Sequence, residues 1–226
     1  MIIKYLIVVL VGYLLGSIPF GLIIGKRHAR VDIRQVGSGK TGMTNVLRVA
    51  GKKAAVLVLI LDLLKGAAAV TFAGFLFRSE WLVVGDTTLW WMGRSAQAAG
   101  GLAAMSGHVW PVFLKFKGGR GVATFFGGLA ALYPPAAIFG GEVLFIGAGL
   151  TKYMSVGSIA GAVGTYAILA PLTIMHGFPI EYLFYGLAGI IVIIFMHRDN
   201  ISRLLSGKER KLGEKVEIEK APAKPN

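Results

Sequence analysis

Apolar residues in this chain come in continuous blocks of about 20, the length an α-helix needs to cross a hydrocarbon core of about 30 Å. The blocks do not alternate polar with apolar, so they predict spanning helices and not a barrel. Only 15% of the 226 residues are charged and the mean hydropathy is +0.68, well away from the roughly 25% charge of a soluble domain. The fold class expected is all-α, a polytopic membrane protein. There is no cysteine, which removes disulfides and thiol nucleophiles.

Seven segments are read, at roughly 3–25, 54–77, 88–107, 122–133, 136–151, 156–175 and 181–197. The first is too long for a signal peptide and leads into no small-residue cleavage site. The fourth, VATFFGGLAALY, is short for a crossing and ends at Pro134-Pro135, as a thin helix or half of a re-entrant hairpin would. Basic residues test the layout. Lys26, Arg27, Arg30, Arg34, Lys40, Arg48, Lys52 and Lys53 crowd the loop 26–53, and Lys115, Lys117 and Arg120 the loop 108–121. Lys152 marks a short connection, and eight Lys or Arg follow residue 197. The connector 78–87 sets one Arg against Glu80 and Asp86, and 176–180 has no basic residue. Seven crossings put every basic loop on one side. The positive-inside rule makes that side the cytoplasm, with the N-terminus outside and the C-terminus inside. Residues 1–200 are then the membrane domain. Residues 201–226, ending KAPAKPN, are a basic cytoplasmic tail expected to be partly disordered. The net charge of +13 is accounted for by loops at an anionic lipid surface, so no nucleic-acid partner is inferred. Most of the 32 glycines are read as close helix packing, with Gly157 and Gly161 as one small-residue face.

The stretch VGSGKTGMTN, Val36–Asn45, imitates a Walker loop. That motif needs a glycine at position 34, which holds Arg34, and a buried strand before it, where there is a membrane helix and a basic connector. A phosphate site of another kind remains. Gly37, Gly39 and Gly42 let backbone N–H groups converge on an anion, Ser38, Thr41, Thr44 and Asn45 add donors, and Arg48 offers a bidentate fork. A helix starting near 41–44 would add its positive end. The loop GHVWPVFLKFKGGRGVA brings a second cradle, Lys117-Gly118-Gly119-Arg120, while Lys115 suits a membrane-surface anchor and His108 a local hydrogen bond. His197 and Asn200 share a helix face at spacing three, and Ser155 falls at the same membrane level. Asp62 and Lys65 share another face and are expected to pair.

GSGKTGMTNVLR, GHVWPVFLKFKGGRGVAT, YMSVGSIAGA and HRDNISRLLSGKE resemble, in order and spacing, the bacterial acyl-phosphate-dependent glycerol-3-phosphate acyltransferases. The likeness runs from about the first helix to residue 211. It implies a seven-helix inner-membrane enzyme with a cytoplasmic site, moving a fatty acyl group from acyl phosphate to the 1-hydroxyl of glycerol 3-phosphate. The product would be lysophosphatidic acid, for phospholipid synthesis. The resemblance puts Ser38, Thr44, Asn45 and Arg48 in a first phosphate-contacting motif and matches Ser155, His197 and Asn200 to polar positions of later motifs. Arg120 stands where relatives often have lysine. Lys40 and Thr41 replace an Asn and a small apolar residue of the family pattern, and no specific work is assigned to them.

Acyl phosphate is a mixed anhydride and already activated, so no covalent enzyme nucleophile is required. The chain has no GxSxG and no His followed five residues later by Asp. Direct attack by the glycerol hydroxyl, with both phosphates held by cations and backbone donors, fits this inventory. The proton goes to His197 or to the donor's phosphate, and the sequence leaves both open. No metal or cofactor is called for. The rival class is a transporter of a phosphorylated solute, which would show internal repeats and broken helices at mid-membrane; here the polar motifs gather at one face.

Overall fold

The structure, a computed structural model, describes residues 1–78 and 87–214. The acidic connector with Glu80 and Asp86 and the tail end 215–226, read above as an outward loop and as disordered, lie outside the described residues. Every regular element among the described residues is helical. In chain order they are α1 (Ile2–Ser17), α2 (Phe20–Ala29), α3 (Met43–Leu76), α4 (Thr87–Val109), α5 (Val122–Leu132), α6 (Pro134–Thr151), α7 (Met154–His176), α8 (Ile180–Met196) and α9 (Arg198–Leu205), with 3-10 turns at Ile33–Gln35 and Val112–Leu114.

Proline and glycine set the breaks. The first apolar block is two helices because Pro19 lacks an N–H and pushes Ile18 to extended backbone (φ −60°, ψ 117°). The second block begins eleven residues before the predicted 54, since α3 runs back to Met43 across a kink at Gly51 (φ 81°). Its start confirms the expected helix beginning near 41–44. Tyr133 is extended ahead of Pro134, which opens α6 where a missing N–H costs nothing.

Lipid-like surroundings supply no hydrophobic drive between helices, so close backbone approach must hold them together. Gly16 abuts the backbone of Ala104 between α1 and α4, and Gly127 that of Leu63 between α5 and α3. Gly157 and Gly161 meet Leu144 and Gly140 between α7 and α6, so the predicted small-residue face is a real seam. At the centre, Tyr185 of α8 stacks on Phe125 of α5 with ring centroids 5.3 Å apart and donates its hydroxyl to the Phe125 carbonyl at 2.8 Å.

Four described stretches are long and apolar enough to cross a membrane: Ile2–Ala29, α3, α6 and α7. The bent pair α8–α9 makes up to five. The count of seven is not reached on length and composition. α4 carries Arg94, Ser95 and Gln97, and the 11 residues of α5 rise only ~16 Å at 1.5 Å each. α5 is thus about half as long as a hydrocarbon core is thick, and it packs among α3, α4, α6 and α8.

Candidate active site

Four polar connections meet at one end of the bundle, around a cavity of about 410 Å³. Its polar wall includes Ser38, Lys40, Thr44, Arg120, Ser155 and His197. Leu63, Phe126, Ala137, Leu144 and Met154 line its apolar wall. Ala130, Pro134, Ile138 and Phe145 continue that wall onto the exposed flank of α5 and α6, so the apolar end is open sideways.

The first loop is organised by Asn45, which stands in the first turn of α3 and is 1% exposed. Its amide donates to the carbonyls of Ile33 (2.7 Å), Lys40 (3.0 Å) and Val36 (3.1 Å), and its Oδ1 accepts from the Ser38 N–H at 3.0 Å. Asn45 lines the cavity, and these four bonds also make it the scaffold that presents Ser38. Gly39 takes a left-handed turn (φ 66°) and its N–H closes on Val36 O, so it too shapes the loop and stands outside the cavity wall. Thr44 lines the cavity beside Gly42, the residue that caps α3.

Lys40, assigned no specific work above, is in the cavity wall. Burial and then the nearby Arg120 guanidinium push its ammonium below the ordinary lysine range. Arg48, one turn along α3 from Asn45, reaches the Lys211 carbonyl at 3.5 Å and keeps a buried, unpartnered Nε.

The second loop departs from the predicted cradle. Gly118 N–H donates to Val109 O at 3.1 Å and Gly119 N–H to His108 O at 3.0 Å. These groups close the C-terminus of α4 and are not free for an anion. The glycines are needed for proximity, because a Cβ on Gly119 would collide with the His108 ring. Lys117 is exposed and, like Arg48, stands outside the cavity wall. Arg120 is the loop's contribution. It lines the cavity with an unpartnered buried Nε, and burial lowers its pKa to about 10, so it stays cationic at neutral pH. Gly121 (φ 84°) turns the chain into α5, whose first residues Val122 and Ala123 face the cavity with the positive helix end.

Ser155 and Asn200 come together through a partner the sequence reading passed over. Glu209 Oε1 accepts from Asn200 Nδ2 at 2.6 Å and from Ser155 Oγ at 3.1 Å, and Oε2 from Arg203 Nε at 2.8 Å. Burial alone would raise this carboxyl, but those three bonds hold it below the usual range. The signal was present, since HRDNISRLLSGKE ends on this glutamate. The chain from 201 to 214, expected as tail, is helical through Leu205 and then tied down by Glu209 and by Leu212 N–H to Lys152 O at 2.7 Å. His197, 2% exposed, sits between α8 and α9 with Nδ1 2.8 Å from the Ile193 carbonyl. A carbonyl only accepts, so Nδ1 carries the proton and Nε2 is the ring's free acceptor.

Asp62, Lys65 and His108 form a buried cluster beneath both loops. Lys65 Nζ is 2.9 Å from Asp62 Oδ1, as expected for that pair, and His108 Nδ1 lies 3.5 Å from the same oxygen. No group of three or more His, Cys, Asp or Glu side chains arranged to hold a metal is found among the described residues.

A cationic, hydroxyl-rich mouth thus leads to an apolar wall that opens on the flank of an apolar helical bundle. The family profile described as glycerol-3-phosphate acyltransferase matches residues 6–207. A "Glycerol-3-phosphate acyltransferase 3" of Dehalococcoides mccartyi is 60% identical over 96% of this chain and 99% of its own. A glycerol-3-phosphate acyltransferase of Halalkalibacterium halodurans is 43% identical over 93% and 97%. The crystal structure of PlsY, an integral membrane glycerol 3-phosphate acyltransferase in its glycerol 3-phosphate form, superposes with a TM-score of 0.79 at 38% identity, covering 92% of this chain and 96% of that one. The chain belongs to the glycerol-3-phosphate acyltransferase family, as a multi-pass membrane protein.

Proposed function

We propose that the protein transfers a fatty acyl group from acyl phosphate to the 1-hydroxyl of glycerol 3-phosphate, releasing 1-acyl-glycerol 3-phosphate and phosphate at the cytoplasmic face of the inner membrane. The observation that carries the reading is the cavity itself. Its cations, Lys40 and Arg120, stand at one end, and its apolar wall opens towards lipid at the other. Such a space suits a phosphate joined to a hydrocarbon chain.

In this reading the acyl chain lies along Phe126, Ala137 and Ile138, which places the mixed anhydride among Ser38, Lys40 and Arg120. The glycerol oxygen attacks the acyl carbonyl carbon, the carbon–oxygen bond to phosphate breaks, and phosphate leaves with both electrons. The hydroxyl proton ends on the departing phosphate, while His197 Nε2 accepts a hydrogen bond that orients the attacking hydroxyl. Arg48 and Arg120, each with an unpartnered Nε, supply charge that a second phosphate requires. Ser155 and Asn200 reach the site edge through Glu209, so their contact with substrate involves exchange of that carboxylate for a phosphate oxygen.

We also assign seven membrane passages, counting α1–α2 as one and the α5–α6 pair as two, with the N-terminus outside. The pair enters and leaves on one side whether or not α5 spans fully, so the side of the later loops does not depend on its depth. Purified protein given labelled glycerol 3-phosphate should form lysophosphatidic acid with acyl phosphate and none with acyl-CoA. Turnover with acyl-CoA alone would overturn the donor assignment.

A further inference from the structure

We propose that Asp62, Lys65 and His108 form a positioning unit that sets the height of the Gly118–Gly121 loop, and so of Arg120, against a substrate phosphate; this rests on the acyl-transfer reading. The three side chains are 1%, 5% and 6% exposed, in a bundle with many close glycine and apolar contacts between its helices. Burying such charges costs several kcal/mol in desolvation, which apolar packing of the same volume would avoid. Their placement accounts for that cost.

His108 links the ion pair to the loop at three points. Its Nδ1 faces Asp62 Oδ1 at 3.5 Å, and its carbonyl accepts the Gly119 N–H at 3.0 Å. Its ring edge lies directly under Gly119, so the loop can sink no further. Arg120, the next residue, inherits that height. Lys65 extends the unit the other way. It donates to Ile18 O at 3.2 Å, at the break between α1 and α2, and its Nζ is 5.7 Å from the Phe20 ring centroid. Gly21, one residue on, touches the Thr41 carbonyl of the first loop. A single buried cluster thus props both loops from below. Lys65 also neutralises Asp62, which lines the same cavity as Arg120 and would otherwise repel an anion there.

The test uses the full-length chain with Asp62→Asn and His108→Gln, each alone and each combined with Arg120→Gln or Arg48→Ala. Each single variant should raise KM for one phosphorylated substrate about tenfold, the scale of a displaced charge-assisted contact. On Arg120→Gln the further loss in kcat/KM should be under about twofold, and on Arg48→Ala the full tenfold should persist, because only Arg120 acts through the loop. Should Asp62→Asn fail to fold, His108→Gln alone carries the comparison. A readout independent of turnover comes from a nitroxide on Lys117→Cys, possible because the chain has no cysteine. Its spectrum should narrow in both variants as the loop loosens. Full additivity with Arg120→Gln, or an unchanged spectrum beside a lowered Tm, would reduce the cluster to packing and overturn the proposal. Absence of acyl transfer by the wild-type chain would instead sink the functional reading, and the spectrum would still decide the positioning one.

Discussion

The two glycine loops of the cavity look alike in sequence and are built in opposite ways. The loop at 36–42 is held by a side chain, the Asn45 amide, with bonds to Ile33, Val36, Ser38 and Lys40. The loop at 117–121 is held by backbone, with Gly118 and Gly119 donating to the last carbonyls of α4 and resting on His108. The Ser38 and Gly39 N–H groups of the first loop, and those of Lys117, Gly118 and Gly119 in the second, are committed to the protein. The comparison teaches that glycine here provides shape and proximity, while the groups the loops project into the cavity wall are Ser38 and Lys40 from one and Arg120 from the other.

That contrast can be broken by changing each scaffold in turn. Gly119→Ala should have the largest effect, on the order of 100- to 1000-fold in kcat/KM, since overpacking costs about 1–3 kcal/mol and displacement of Arg120 adds to it. The His108 ring, 6% exposed, has no room to retreat. Gly42→Ala, where a Cβ would meet nothing within 4 Å, is the matched control and should stay within a few-fold. Equal kinetics for the two would show that the second loop is not held by contact with His108. Asn45→Ala should come next, roughly 10- to 100-fold, because three carbonyls lose their donor at about 1 kcal/mol each. Its loss should be partly restored by Asn45→Asp only at the Ser38 N–H, the one bond in which the side chain accepts. Full rescue by Asp would contradict the amide-donor account of the first loop.

Much of this was legible beforehand, for reasons that differ by feature. The apolar blocks gave the helices, because a 3.6-residue element must satisfy its own backbone in lipid. Pro134 and the short run before it announced a short α5 that ends at the proline. The pairing of Asp62 with Lys65 followed from helical spacing alone. Hidden from sequence were features made by convergence. The role of Asn45 in holding the loop is invisible until the carbonyls around it are placed, and Lys117 and Arg120 look equivalent until the fold leaves one exposed and sets the other in the cavity wall. Glu209 sits 54 residues from Ser155, and no local pattern reports a bond across that distance.

The smallest expected effect separates the two loops by one lysine each. Lys40 is in the cavity wall, with its ammonium pushed down by burial and then by Arg120, whereas Lys117 is exposed on the outer side of its loop. Lys40→Ala removes a half-buried cation from the cavity wall; on the proposed reading, in which it faces a substrate phosphate, a fall of roughly 3- to 10-fold in kcat/KM is expected. Lys117→Ala removes a solvated charge outside the cavity and should stay within about twofold, with a salt dependence close to wild type. The sign of the pH response sharpens the distinction. A lysine whose pKa is lowered loses its proton earlier as pH rises, so wild-type kcat/KM should begin to fall below pH 10.5, the ordinary lysine value. Arg120, lowered to about 10, titrates in the same range, so Lys40→Ala should weaken that limb without abolishing it, and Lys117→Ala should keep it whole. A Lys117→Ala enzyme that loses the alkaline limb, or a Lys40→Ala enzyme with wild-type kinetics across the range, would exchange the roles of the two loops.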